Sequence, residues 1–119
     1  MNGLVINLTH SVDDPDRTSV GMVVAGASAA SSQTTTDFLS SEGTRLAKQG
    51  VAEELHEEGF APLGELVSSF VEAGGTFLVC SPCAKKRDIG PDDLIKGATI
   101  VGGATLVALL ADGAASLSF

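Results

Sequence analysis

Two closely spaced cysteines, Cys80 and Cys83, are the side chains of this sequence best suited to chemistry. They follow residues 76–79, a short apolar run with the pattern of a buried strand, and they enclose Ser81 and Pro82, which are typical of the start of a helix. At a strand-to-helix junction, backbone N–H groups and the helix dipole favour a thiolate. We therefore expect Cys80 to be an ionised, accessible sulfur.

Three consecutive basic residues, Lys85, Lys86 and Arg87, follow the cysteine pair, although the chain has only seven Lys and Arg in all. A nearby cation lowers the pKa of a thiol and stabilises a bound anion. Together these features favour persulfide or thiosulfate-like chemistry at Cys80. The alternative is a structural cysteine beside a solvated basic run.

The sequence leaves the role of Cys83 open. This residue could form a redox disulfide with Cys80, resolve a persulfide on Cys80, or pack within the helix. A zinc site is disfavoured, because structural zinc usually takes four Cys or His ligands and this pair has no second half. No phosphate-binding glycine motif follows a predicted strand. We therefore expect neither a metal nor a cofactor.

Four further residues, His10, Ser41, Glu42 and Gly43, follow the first two predicted strands and are candidates for the same pocket. The carboxyl ends of parallel strands meet at one edge of a sheet, where ligands bind. His10 could exchange protons if its strand adjoins that of Cys80, although an ordinary loop hydrogen bond is the favoured interpretation. Glu42 and Gly43 either frame the pocket or cap a helix.

Alternating strand and helix patterns predict how these residues are positioned. Between the strands, Val20, Val23, Val24 and Ala27 have helical spacing and form one stripe, which is expected to pack on the sheet or on another subunit. Residues 106–110 are expected to form a largely buried helix. This alternation predicts a three-layer α/β/α fold with a mainly parallel five-stranded sheet. The strands are expected at residues 4–8, 34–39, 76–79, 99–101 and 115–119.

One residue conflicts with this pattern, because Asp37 lies inside the second predicted strand. Carboxylates are rare in strands and are almost never fully buried without a partner. We therefore expect this strand to lie at the edge of the sheet or Asp37 to have a polar partner.

Length and charge limit the classes of function. The 119 residues and 12.0 kDa fit one domain over residues 1–119. Seven basic and fifteen acidic residues give a net charge of −8, which argues against nucleic acid and membrane surfaces as partners. With no signal-like N-terminus and no apolar run of about 20 residues, we expect a soluble cytoplasmic protein with reduced thiols.

Seven segments spread over the chain carry a resemblance to a known family: 4–8, 38–43, 48–52, 59–63, 70–75, 79–87 and 93–98. In these segments the chain resembles the DsrE/DsrF/TusD-like family of small sulfur-relay proteins. The resemblance implies a parallel α/β/α fold, flavodoxin-like in outline, and assembly into trimers or hexamers. It also implies a persulfide on Cys80, exchanged with donor and acceptor proteins, with Arg87 and Ile89 matching the family's R-x-I pattern. Asp88 departs from the family, because relatives commonly have Gly there.

Two other functions stay open at this point. The C-x-x-C pair is compatible with a thiol–disulfide redox protein. The paucity of unambiguous acid or base groups is compatible with a non-enzymatic oligomer that binds a small ligand or regulates a partner.

Overall fold

The computed structural model describes residues 3–119, in which strands alternate with helices. Its nine main elements are β1 (Leu4–Leu8), α1 (Pro15–Ala30), β2 (Thr35–Leu39), α2 (Leu63–Glu72), β3 (Thr76–Cys80), α3 (Ser81–Lys86), β4 (Ala98–Val101), α4 (Gly103–Ala111) and β5 (Ala115–Ser118). Three 3-10 segments, Ser41–Ala47, Ala52–Glu54 and Pro91–Asp93, lie in the connections.

The five strands form one sheet in the order β4-β3-β2-β1-β5, and every neighbouring pair is parallel. From β1 to β4 the chain moves across the sheet in one direction, and it then returns to place β5 beside β1. Right-handed crossovers put α1 and α2 on one face and α4 on the other. The predicted α/β/α fold with a parallel five-stranded sheet is confirmed.

The main core lies between the sheet and the pair α1 and α2. Phe70 of α2 and Phe77 of β3 pack edge to face, with ring centroids 5.0 Å apart and an interplanar angle of 64°. Such an aromatic pair contributes about 1 kcal/mol beyond the area that it buries. Other core side chains come from β1, β2, β3, α1 and α2: Ile6, Leu8, Met22, Leu39, Leu63, Val67 and Val79.

Of the two alternatives for the valine stripe of α1, packing on the sheet is wrong, since Val20 and Val23 are 37% and 44% exposed. Packing of this stripe on another subunit stays a prediction. The helix instead turns Thr18, Ser19 and Gly21 inward. The two hydroxyls can be buried because each donates to a backbone carbonyl within the helix turn, at 2.8 and 2.7 Å. Gly21 lets the helix lie close to the sheet and the C-terminus, where an added Cβ would come within 3.0 Å of a Leu8 methyl group and 3.4 Å of the Phe119 ring.

The prediction that the last helix is largely buried is also wrong. No residue of α4 is fully buried, and Val107 and Leu110 are 64% and 36% exposed. The topology explains this exposure, because the crossover from β4 to β5 places α4 on the face opposite α1 and α2, where neither can cover it. An apolar helix surface is therefore left uncovered in the single chain.

Both explanations offered for Asp37 are wrong. Its strand, β2, is at the centre of the sheet, and Asp37 lies in register with Ile6 on one side and Phe77 on the other. The side chain is fully buried, and neither carboxylate oxygen has a hydrogen-bond partner among the described residues. Burial raises the pKa of this carboxyl well above its usual range, so the folded chain keeps it protonated.

Asp37→Asn is expected to stabilise the fold at neutral pH by an amount on the order of 1–3 kcal/mol. The unfolded wild-type chain releases the Asp37 proton above about pH 4, whereas the folded chain retains it, so wild-type stability falls as the pH rises toward the folded-state pKa. The amide has no such proton to lose. Denaturant unfolding of both proteins from about pH 4 to neutral pH measures the difference.

The matched control is Asp112→Asn, which changes an exposed aspartate after α4. Its stability should follow the wild-type pH profile. Parallel profiles for wild type and Asp37→Asn would contradict the assignment of a buried, protonated Asp37.

Candidate functional site

The two thiols lie together where β3 passes into α3. Cys80 is the last residue of β3, and Ser81 and Pro82 begin α3 directly after it, so Cys83 follows within the first turn. Both cysteines are free and half-buried. The two thiols are close enough for each to affect the pKa of the other. Neither sulfur is sealed inside the core.

The segment Ser41–Ala47, which follows β2, supplies another contact to this pair. The backbone N–H of Ser41 donates to Sγ of Cys83 at 3.3 Å. Ser41 has a φ of +51°, in the left-handed region, where a non-glycine residue costs about 1 kcal/mol. A residue in this region brings local strain to the site, and this one carries the amide that contacts the sulfur.

Two contacts hold the same segment against the end of β1. An added Cβ at Gly43 would lie 2.2 Å from the carbonyl oxygen of Leu8, so only glycine fits this close approach. The Ser11 hydroxyl donates to the backbone carbonyl of Glu42. The structure thus places Ser41, Glu42 and Gly43 on one segment, and the Ser41 amide contacts the Cys83 thiol directly.

Glu42 links this segment to the end of α3. Its Oε1 accepts from Nε of Arg45 and its Oε2 from Nε of Arg87, both at 2.9 Å. Hydrogen bonds from Arg45 first and then Arg87 hold the pKa of Glu42 below its usual value, so the carboxyl is ionised. Arg87 also donates from Nη1 to the carbonyl oxygen of Cys83 at 3.1 Å, and its side chain is only 10% exposed.

Sequence reasoning missed Arg45 and the pairing of Glu42 with Arg87. The spacing of Glu42 and Arg45 at i and i+3 was a usable signal for the first contact. No local pattern could show the second, because the two residues are 45 positions apart and meet only when the sheet forms.

The thiols have opposite shifts in acidity. Burial raises the pKa of Cys80, and the Cys83 thiol adds to this rise. Burial acts against ionisation of Cys83 too, but the Ser41 amide, the Cys80 thiol, Arg87 and Lys86 together lower its pKa. The groups that stabilise an anion therefore converge on Cys83 rather than on Cys80, where the sequence led us to expect the ionised sulfur.

The three predicted cations differ in their effect. The charge of Arg87 favours ionisation of both thiols and that of Lys86 favours ionisation of Cys83, whereas Lys85 lies exposed on α3. The positive charge that acts on the pair therefore comes from the end of α3, and Arg87 is its best-anchored source.

The residues after Arg87 keep the turn that the sequence resemblance implies. Asp88 has a φ of +55°, in the region that glycine adopts most easily, so aspartate occupies the conformation expected of the family's Gly. Ile89 is 4% exposed and packs into the main core. This anchor fixes the chain just beyond α3.

His10 does not join the thiols. Its strand, β1, is separated from β3 by β2, so the condition for a proton-transfer role is not met. Nδ1 of His10 lies 2.7 Å from Oδ2 of Asp13. The favoured interpretation of His10, an ordinary loop hydrogen bond, is confirmed.

Two open grooves of about 600 and 530 Å³ lie elsewhere on the molecule. Both run along α2, with Glu53, Gly64, Ser68 and Glu72 among the residues that line them. Neither groove is lined by a cysteine, so the thiols lie on a different part of the surface.

Across residues 3–119, His, Cys, Asp and Glu side chains do not gather in groups of three that could hold a metal ion. The helices of the same residues are all too short or too polar to cross a membrane.

Comparison with known proteins gives a family and a fold. A model of the DsrE/DsrF-like family matches residues 3–119. The ychN protein from E. coli has a similar structure, with 19% identity, full coverage of both chains and a TM-score of 0.84. No curated protein matches.

Two further solved structures are similar. MTH1491, a protein of unknown function from Methanobacterium thermoautotrophicum, shows 16% identity and a TM-score of 0.70, with 98% of this chain and 97% of that chain covered. BT1422, from Bacteroides thetaiotaomicron, shows 17% identity and a TM-score of 0.69, with 99% and 96% covered. These similarities establish the fold.

Arg87→Gln is expected to raise the pKa of the Cys83 thiol, because it removes a fixed positive charge. At a pH below that pKa, the thiolate fraction should fall on the order of threefold to tenfold. An ultraviolet titration of thiolate absorbance in a Cys80→Ser background isolates the Cys83 signal. Lys85→Gln removes one charge from the exposed face of the same helix and serves as the control. Equal shifts in the two variants would contradict a specific role for Arg87.

Proposed function

Because the chain belongs to the DsrE/DsrF-like family, we propose that it carries sulfur as a persulfide on the Cys80–Cys83 pair. The observation that supports this best is the set of groups around Cys83, where the Ser41 amide and the Arg87 charge favour an anionic sulfur. A thiolate is the form that attacks sulfur, so this arrangement suits transfer chemistry.

The proposed reaction needs no external oxidant. A thiolate of the pair attacks the outer sulfur of a donor persulfide, R–S–SH, so that a new S–S bond forms and the thiolate R–S⁻ leaves. An acceptor thiolate then attacks the outer sulfur of the protein persulfide and releases the protein thiolate. Donor and acceptor are thus a persulfide and a thiol, carried by partner proteins, and the proposed setting is the reducing cytoplasm, which keeps both cysteines free.

The two cysteines have different proposed roles. Cys80 occupies the position of the relay cysteine in the resemblance, and it is the thiol that we propose to store the sulfur for the acceptor. Lys86 and Arg87 stabilise negative charge on the pair, as their effects on the thiols indicate.

Incubation of the reduced protein with glutathione persulfide tests this proposal. Wild type should gain about 32 Da, the mass of one sulfur, and lose it on addition of a thiol acceptor. Intact-protein mass spectrometry measures both steps. The double variant Cys80→Ser/Cys83→Ser is the control and should gain nothing. A wild-type protein that never gains this mass, or a double variant that gains it equally, would refute the sulfur carrier.

One observation also favours a second candidate, a thiol–disulfide redox protein. The two free thiols of the C-x-x-C pair lie together at the start of one helix, the arrangement of thioredoxin-like redox motifs. Titration against a glutathione redox buffer distinguishes the two functions. A reversible two-electron transition that Cys83→Ser abolishes supports the redox protein, whereas persulfide transfer by a protein that stays reduced supports the carrier.

We also propose that the chain forms a homo-oligomer through α4, a trimer or hexamer as the resemblance implies. The helix is apolar along most of its length, and its residues are not fully buried within the described chain. Contiguous exposed apolar surface of this kind usually marks an interface between proteins.

Val107→Glu is expected to convert the oligomer to a monomer, because it places a charge in the proposed interface, where burial without a partner is unfavourable. Size-exclusion chromatography with light scattering measures the mass. Val23→Glu, which changes an exposed valine of α1, is the matched control and should leave the assembly intact. Dissociation by Val23→Glu alone would place the interface on α1 instead.

A further inference from the structure

The Cys83 sulfur has a fixed backbone hydrogen-bond donor, which the Cys80 sulfur lacks. The Ser41 N–H donates to it at 3.3 Å, from a residue whose φ of +51° lies in the left-handed region. The segment that carries Ser41 is held in turn by the close approach of Gly43 to Leu8 and by the Ser11 hydroxyl. The donor at Cys83 is therefore fixed in place before any substrate arrives.

Arg87 is fixed in the same way. It donates to Oε2 of Glu42 at 2.9 Å and to the Cys83 carbonyl oxygen at 3.1 Å, and its side chain is mostly shielded from solvent. Glu42 also accepts from Arg45, so one carboxylate balances two guanidinium groups. The local charge at this end of α3 therefore remains positive, although the chain as a whole is acidic.

Cys80 sits in a different setting. Burial opposes ionisation of both thiols, but only the Cys83 sulfur also accepts a fixed backbone N–H, from Ser41. Arg87, which is anchored to Glu42 and to the Cys83 carbonyl oxygen, adds positive charge at the same end of α3. These contacts stabilise an anion on Cys83 better than one on Cys80.

From this geometry we propose that Cys83 is the nucleophile that takes sulfur from the donor, and that Cys80 receives it in a second, internal step. This inference rests on the proposed sulfur-carrier function. It goes beyond the resemblance, which assigns the relay to the position of Cys80 and gives Cys83 no part.

Both steps balance. The Cys83 thiolate attacks the outer sulfur of R–S–SH, R–S⁻ leaves, and the product is Cys83–S–SH. Cys80 then gives its proton to solvent, and its thiolate attacks the outer sulfur of Cys83–S–SH, which yields Cys80–S–SH and returns Cys83 to the thiolate. No electrons are gained or lost overall, because each step exchanges one S–S bond for another.

The acidities of the two thiols favour this order. The more acidic thiol is ionised more often, and it is also the better leaving group once it bears a persulfide. The less acidic thiol is the stronger nucleophile once it loses its proton. Cys83 is therefore suited to take sulfur from the donor and then to release it, whereas Cys80 is suited to take the sulfur from Cys83.

The test compares initial rates of loading by limiting glutathione persulfide in Cys80→Ser and Cys83→Ser, with mass spectrometry of quenched samples and peptide mapping of the adduct. Cys80→Ser should still take up sulfur and should keep it on Cys83, because the thiol for the internal step is missing. Cys83→Ser should load more than tenfold more slowly than Cys80→Ser. The pH of half-maximal loading should be lower for Cys80→Ser than for Cys83→Ser.

A third variant tests whether the fixed groups around Cys83 contribute to the rate of loading. Arg87→Gln should slow loading more in the Cys80→Ser background than in the Cys83→Ser background, because the fixed charge lies beside Cys83. If Cys83→Ser loads as fast as Cys80→Ser or faster, the order of the two cysteines is wrong although the carrier function stands. If wild type takes up no sulfur, the carrier function itself fails.

Discussion

The ion pair between Glu42 and Arg87 joins two parts of the chain that the sequence keeps far apart. One part follows β2 and the other ends α3; the Ser41 amide of the first donates to the Cys83 sulfur, and Arg87 of the second donates to the Cys83 carbonyl oxygen. Both oxygens of the Glu42 carboxylate accept hydrogen bonds, one from Arg45 and one from Arg87. The contacts that lower the pKa of the Cys83 thiol depend on this arrangement.

The fold supplies the conditions for that contact. β2 and β3 are neighbours in the sheet and run in the same direction, so the segments that follow them leave at the same edge. Gly43 removes the side chain that would keep the segment after β2 away from β1, and Ile89 anchors the chain beyond α3 in the core. The site is therefore positioned by the rigid sheet rather than by loops alone.

The α/β/α fold and its parallel five-stranded sheet could be predicted from sequence, because strand and helix patterns alternate along the chain. The order of the strands was not predicted, because it depends on contacts between segments far apart in the sequence. Which face of each helix is buried could not be predicted in the same way. In α1 the small and hydroxyl-bearing residues are buried and two valines are exposed, since Thr18 and Ser19 satisfy their own hydroxyls within the helix. Hydrophobicity alone therefore identifies the wrong face wherever close helix-to-sheet packing selects for small residues.

The same limit applies to the site. The cysteine pair, Ser41, Glu42 and Arg87 were all recognised from their types and their places after predicted strands. The sequence did not show which of the two sulfurs these groups stabilise as an anion. The acidity of a thiol depends on contacts of about 3 Å, and only the folded chain makes them. Asp37 gives a second example: its burial without a partner is set by the position of β2 at the centre of the sheet.

Competitive alkylation tests the central claim most directly. The reduced wild-type protein is treated with less than one equivalent of iodoacetamide at neutral pH, and the modified residue is identified by peptide mass spectrometry. If the Ser41 amide and Arg87 stabilise an anion on Cys83, the label will be found mainly on Cys83. A label found mainly on Cys80 would contradict the account.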